Sequence, residues 1–150
     1  MREKLKELGL ELPEYSTPGG NYVSVNVRGN VAYVAIQFPI KNGQFYFQGR
    51  LGDELNIPEG YEAMQLCALN VLAQLDAKVG FDKIEGINHL DAYYQASGDW
   101  DEAPKVVNGA SDLFVNVLGD KGKHSRAIFG VHKLSRNFSV GLTVSATLIS

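Results

Sequence analysis

Cysteine is almost absent from this sequence. A single residue, Cys67, excludes an intrachain disulfide and suits a reducing compartment. It sits inside "AMQLCALNVLAQL", an apolar pattern of helical spacing, so it reads as a small core hydrophobe and not as a nucleophile. An excess of basic charge is also missing. There are 14 Lys and Arg against 17 Asp and Glu, for a net charge of −3. With no cluster of Lys and Arg there is no electrostatic footprint for nucleic acid, and a phosphate backbone is not expected as the partner. No apolar run is long enough to cross a bilayer. The N-terminus, "MREKLKELGLELPEY", is charged and lacks the apolar stretch of a secretory signal. The expectation is a cytoplasmic protein with no membrane partner.

The signatures of bound metals and cofactors are missing too. The three histidines, His89, His124 and His132, form no pair with each other or with Cys67 at ligand spacing. There is no HExxH, EF-hand loop, GxSxG elbow, Walker loop or GxGxxG fingerprint. "GDKGKH", residues 119–124, follows a helical pattern and does not open one, so it reads as a turn. The acidic pairs Asp53-Glu54 and Asp101-Glu102 fall in loops or at helix starts, where carboxylates complement the helix dipole. No metal and no cofactor are expected.

What remains is an ordinary globular composition over 150 residues, 45% hydrophobic and 21% charged, which fits one domain spanning 1–150. A short amphipathic helix is predicted over 2–9. Tyr22 to Arg28 alternates, Gly29-Asn30 interrupts, and Val31 to Phe38 resumes, which is the pattern of a hairpin. The second of these strands is apolar on both faces and should be central. "KNGQFYFQG" reads as a turn with a short strand. A helix is predicted from Asn56 to Val79. Asn56 and Glu59 make a capping pair, Pro58 fits the first turn, and Gly80 is the stop. "KIEGINHLDAYY" is a strand with Ile84 in phase with neither face. A second helix follows from about Asp101 to Leu118, its stripe formed by Val106, Ala110, Leu113 and Val117. Two strands, "RAIFGVHKL" and "FSVGLTVSATLI", close the chain. The predicted class is α+β, a mixed sheet with both helices on one face.

The last strand is informative on both sides. Val140, Leu142, Val144, Ala146 and Leu148 point one way, toward the helices. Ser139, Gly141, Thr143, Ser145 and Thr147 point the other way. A solvated face usually carries Lys and Glu, whereas this one is small and uncharged. It is either a Ser- and Thr-rich exposed face or a surface covered by another copy of the chain. The second reading is preferred, because the chain has no third layer with which to cover it.

Arg126 heads the strand "RAIFGV". Its planar guanidinium can hold a carboxylate through two parallel hydrogen bonds. Taken alone, a strand-end arginine is more often a solvent-facing residue or a surface ion pair.

The stretch "NGASDLFVNVLGDKGKHSRAIFGV", residues 108–131, resembles the RidA family, also called YjgF. The similarity extends over about residues 20–150 and takes in "NYVSVNVRGNVAYVAIQFPI", "PEGYEAMQLCALNVLAQL" and "PKVVNGASDLF". It is nearest to a divergent subgroup sharing "CALN" and "NGASDL". The resemblance implies a chorismate-mutase-like α+β fold assembled as a homotrimer, with ligand clefts between subunits. It further implies hydrolysis of reactive 2-enamines and 2-imines to 2-keto acids and ammonia, with the family arginine, here Arg126, on the substrate carboxylate. Asn108 and Tyr22 align with other residues lining the cleft. On residue pattern alone, Asn108 is a solvated helix residue and Tyr22 a strand-edge aromatic. Three positions depart from the family. The usual Ser-Gly of the second strand is Ala35-Ile36, and Ile36 should narrow the pocket. The glutamate of the last strand, associated with the attacking water, falls at Thr143, which can hold a water but cannot act as its base near neutral pH. The "LP" after the arginine strand is Leu134-Ser135. A non-catalytic metabolite binder or sensor on the same trimer is the alternative. A ribonuclease reading is opposed by the acidic balance and the lack of a basic groove.

Overall fold

The computed structural model describes all 150 residues. In chain order the elements are α1 (Arg2–Glu7), β1 (Val25–Arg28), β2 (Val31–Gln37), β3 (Ile40–Lys41), β4 (Gln44–Phe45), α2 (Ile57–Lys78), β5 (Ile84–Tyr94), α3 (Ala103–Leu118), β6 (Ser125–Gly130) and β7 (Val140–Leu148). Local chemistry sets several of the boundaries. The Asn56 side chain accepts the Glu59 backbone N–H at 2.9 Å, and the Glu59 carboxylate accepts the Asn56 N–H at 3.0 Å. That closes the capping box expected from the sequence. Gly29 and Asn30 form the two-residue loop between β1 and β2, with Gly29 at φ 61°. The expected turn and short strand in "KNGQFYFQG" form a small separate hairpin with the residues before them, β3–β4, whose turn residues Asn42 and Gly43 are both left-handed, φ 52° and 80°.

The five-stranded sheet has the order β1-β2-β7-β5-β6. Only the β5–β6 pair is parallel, joined through α3; the other pairs are antiparallel. β6 is therefore an edge strand. It ends at Gly130, four residues short of the predicted Leu134. Ile84, which matched neither face in the sequence, is buried in the core, because a register shift between Ile84 and Gly86 re-aims it.

Both helices lie on one face of the sheet, packed on Val140, Leu142, Val144 and Ala146 of β7, all buried. The two helices also pack on each other, and glycine permits the approach. A Cβ on Gly109 of α3 would lie 2.1 Å from the Tyr61 carbonyl oxygen of α2, so no side chain fits there. This gives the Gly of "NGASDL" a packing role.

The opposite face carries no layer from this chain. Asn26, Tyr33, Ser145, His89 and Ser125 form one cross-strand row on it, and Thr143 stands opposite Asp91 in the next. Tyr33 is 52% exposed and Phe129 46% exposed. Tyr93 and Phe129 stack at 5.5 Å. The far end of the face closes on itself, where Ser139 is buried and Ile36 lies over Gly141. The face is also not free of charge throughout, since β5 brings His89 and Asp91 to it.

Candidate functional site

Arg126 stands beside Leu90 of β5, on the helix side of the sheet, at the edge strand. Its side chain reaches along the rim to α3. Nη1 donates to Asn108 Oδ1 at 2.9 Å and to Ser111 Oγ at 3.1 Å. Asn108 and Ser111 are three residues apart and share a helix face. Ser111 is itself held. His124 Nδ1 donates to the Gly122 carbonyl at 2.6 Å, so in the neutral ring Nε2 accepts the Ser111 hydroxyl at 2.8 Å. Gly122 is fixed in turn, because a Cβ there would lie 2.0 Å from the Phe114 carbonyl oxygen. The half-buried guanidinium is thus oriented by the uncharged acceptors Asn108 and Ser111 and takes no part in a salt bridge. Both protons of Nη1 are used, and the edge formed by Nη2 and Nε remains for an anion. That edge matches the two oxygens of a carboxylate.

Tyr22 and Ile36 come together elsewhere. They line a cavity of about 360 Å³ with Phe38, Phe45, Phe138 and Arg136. Ile36 belongs to a bulge: between Val34↔Val144 and Gln37↔Leu142, β2 has one residue more than β7. The bulge falls at Ala35-Ile36, where the sequence departs from the family's Ser-Gly. Ile36 packs so closely that a Cβ on Gly141 would meet its Cδ1 at 2.8 Å. Tyr22 folds back on its own loop, its hydroxyl accepting the Gly19 N–H at 3.2 Å.

Thr143 lies on the open face of the sheet. It lines a depression of about 370 Å³ with Tyr33, His89, Asp91 and Ser145. Here the His89 ring bridges Asp91 and Ser125, with Nε2 2.9 Å from Asp91 Oδ1 and Nδ1 2.7 Å from Ser125 Oγ.

Within one chain the structure joins Arg126 to Asn108 and joins Tyr22 to Ile36. The two pairs line different places, and Thr143 occupies a third. Asn108 is exposed, as its position about 200° around the helix from Val106 requires, yet it does not simply face water. The long Arg126 side chain reaches it from the edge strand. Sequence reasoning missed three residues. Ser111 could have been found as the i+3 partner of Asn108. Asp91 becomes relevant only through its register opposite Thr143. Arg136 had no signal beyond its place in a connector.

Two ionisable groups near this region are perturbed. Tyr61 donates its hydroxyl proton to Asp112 Oδ2 at 2.6 Å, linking α2 to α3. That bond, helped by partial burial, pushes the phenol up to about 12. Burial pushes the Cys67 thiol well above its ordinary value, consistent with an inert core residue. No three His, Cys, Asp or Glu side chains converge as a metal site would require. No helix is long and apolar enough to cross a membrane.

Comparison with known proteins agrees over almost the whole chain. The family model described as "YjgF/chorismate mutase-like, putative endoribonuclease" matches residues 2–145. Protein TCP17 of Trypanosoma cruzi is 36% identical over 132 residues, covering 87% of this chain and 82% of its own length. A Shewanella oneidensis MR-1 crystal structure, described by the same endoribonuclease phrase as the family, superposes with a TM-score of 0.95 at 34% identity, covering 98% of each chain. The Atu1372 protein of Agrobacterium tumefaciens, of unknown function, gives 0.92 at 34% identity, covering 98% of this chain and 91% of that one. With its mixed sheet, its two helices on one face and a family match from residue 2 to residue 145, this chain belongs to the YjgF/RidA family.

Proposed function

We propose that this protein binds small carboxylate-bearing metabolites in clefts formed where copies of the chain meet as a homotrimer. The observation that carries this reading is the state of Arg126. Its guanidinium is oriented by Asn108 and Ser111, is not neutralised by any carboxylate, and keeps one edge free. A ligand that finds its cation already fixed gives up less side-chain entropy on binding. Asn108 lines the site beside it. Tyr22 and Ile36 supply an apolar wall from the adjoining copy, whose sheet face packs against the open face of the first. The exposed Tyr33 and Phe129 on an otherwise small and polar face support that packing.

The reaction that fits is hydrolysis of a 2-imino acid, or of the enamine in equilibrium with it, to a 2-keto acid and ammonia. Water adds to the imine carbon, the C–N bond breaks, and the nitrogen leaves as ammonia with the protons of the water. An imine is already electrophilic, so holding it beside an ordered water lowers the barrier without a strong base. Thr143 would hold that water.

A test is ammonia release from imino acids generated by a coupled amino-acid oxidase. Acceleration over buffer that disappears in Arg126→Ala is the expected result. No acceleration at high protein concentration discards hydrolysis. A separate measurement, analytical ultracentrifugation, should give three times the 16.4 kDa mass of the chain. A monomer would remove the shared cleft.

One observation favours a non-catalytic binder or sensor instead. Ile36 fills the space over Gly141, and no Asp or Glu lines the cavity that it shares with Tyr22. On that reading 2-keto acids bind, Arg126→Ala abolishes binding, and no turnover follows. RNA is the less suitable substrate, because acidic residues outnumber basic ones.

A further inference from the structure

We infer that Arg136 is a second anion clamp, and that the ligand class is a small carboxylate carrying a second anionic group, either carboxylate or phosphate. The inference rests on the proposed cleft, in which the Tyr22 and Ile36 cavity of one copy faces Arg126 of another.

Arg136 is the only charged residue lining that cavity. The walls combine apolar side chains, Tyr22, Ile36, Phe38, Phe45 and Phe138 among them, with uncharged polar ones such as Gln37 and Asn70. Its guanidinium lies 6.0 Å from the centre of the Phe45 ring and takes part in no salt bridge. A cation beside an aromatic ring and outside any salt bridge is a favourable place for an anion.

The backbone supplies a second, independent observation. Arg136 and its neighbour Asn137 are both left-handed, at φ 55° and 57°, although neither is glycine. Two consecutive residues of this kind are costly and persist only where the surroundings over-determine them. Here the surroundings are specific. Gln48 Nε2 donates to the Arg136 carbonyl at 2.8 Å, and the fully buried Gln95 donates to Asn137 Oδ1 at 2.8 Å. Gln95 Oε1 also accepts the Leu134 N–H at 2.8 Å, so one buried amide fixes both ends of the turn. Leu134 and Phe138 anchor the turn in the interior. The Gln48 and Gln95 amides hold the turn, and with it Arg136, at the cavity.

The consequence for specificity follows from charge. In the assembled cleft, Arg126 meets one end of the ligand and Arg136 the other, with no acid lining the cavity between. A monocarboxylate satisfies Arg126 and leaves Arg136 without a counter-charge. A dianion of suitable length satisfies both, and the apolar walls contact its carbon chain.

The experiment measures binding by titration calorimetry of three probes: 2-oxobutanoate, 2-oxoglutarate and 3-phosphoglycerate. The proteins are the wild type, Arg136→Asn, Arg136→Lys and Arg126→Gln. Asn is chosen because it tolerates the left-handed conformation. The wild type should bind one or both dianions roughly tenfold or more tightly than 2-oxobutanoate. Preference for 2-oxoglutarate alone marks a second carboxylate, and preference for 3-phosphoglycerate alone marks a phosphate. Arg136→Asn should lose that preference, weakening the dianions far more than 2-oxobutanoate, whereas Arg136→Lys, with the charge retained, should keep part of it. Arg126→Gln should lose all three ligands. Equal binding of the three probes to the wild type overturns the inference alone. The same holds if neither position-136 variant changes the preference. Failure of the underlying cleft looks different: Arg126→Gln would then leave every affinity as it was.

Discussion

Asn108→Asp offers a test in which stability and binding move in opposite directions. The substitution is nearly isosteric and places a carboxylate oxygen where Oδ1 now lies 2.9 Å from Arg126 Nη1. The free protein gains a partly exposed Arg–Asp pair, worth up to about 1 kcal/mol. For a chain of this size that raises Tm by about 2–4 °C at most. The ligand carboxylate, on the other edge of the guanidinium, would sit roughly 7 Å from the new charge. At an effective dielectric of about 20, two like charges at that distance repel by about 2 kcal/mol, and solvent and salt reduce this to roughly 1 kcal/mol. Affinity for 2-oxobutanoate should fall by roughly 5-fold. Asn108→Ala, which only releases the arginine, should cost about 0.5–1.5 kcal/mol, or roughly 2- to 10-fold, and should not raise Tm. Calorimetric titration and thermal unfolding on the three proteins settle the matter. If Asn108→Asp binds the keto acid as well as the wild type, Arg126 is not the anion clamp.

Other outcomes follow from the same geometry. Gly109→Ala should destabilise the chain by about 1–3 kcal/mol in urea unfolding, because its methyl meets the Tyr61 carbonyl and must push α3 away from α2; unchanged stability would contradict that crossing. The Tyr61 phenol should ionise near pH 12 in an ultraviolet titration, with that step absent in Tyr61→Phe. Since the folded value is raised above the ordinary one of about 10, the Tyr61–Asp112 bond contributes fully below pH 10 and is lost as pH rises toward 12. Stability of the wild type should therefore fall more than that of Tyr61→Phe across that alkaline window. Thr143→Val should slow ammonia release by roughly 5-fold, the loss of one hydrogen bond of about 1 kcal/mol, and leave keto-acid affinity unchanged; an equal loss of both would give Thr143 a structural role only.

Much of the scaffold was legible in the residues. Asn56, Pro58, Glu59 and Gly80 bracket α2 because capping and stopping are local chemistry. Gly29-Asn30 marks the first hairpin for the same reason. The side of β7 that meets the helices followed from alternation, and each of Val140, Leu142, Val144 and Ala146 is buried. The site was less legible, since its contacts are long-range. Helical periodicity turns Asn108 away from the core stripe and says nothing about an arginine arriving from an edge strand. The bulge at Ala35-Ile36 hides in a run that is apolar throughout. The left-handed turn at Arg136 and Asn137 has no glycine to announce it, and it is set by the side-chain amides of Gln48 and Gln95, distant in sequence. Asp91 gained interest only when the register put it opposite Thr143.

The most direct measurement is a crystal structure of the protein grown with 2-oxobutanoate. The account predicts a carboxylate bound through two hydrogen bonds to Nη2 and Nε of Arg126, at a boundary between copies, with Tyr22 and Ile36 of the adjoining copy against the carbon chain. A bound carboxylate away from Arg126, or an Arg126 that faces open solvent in every copy with no neighbour beside it, would contradict the account.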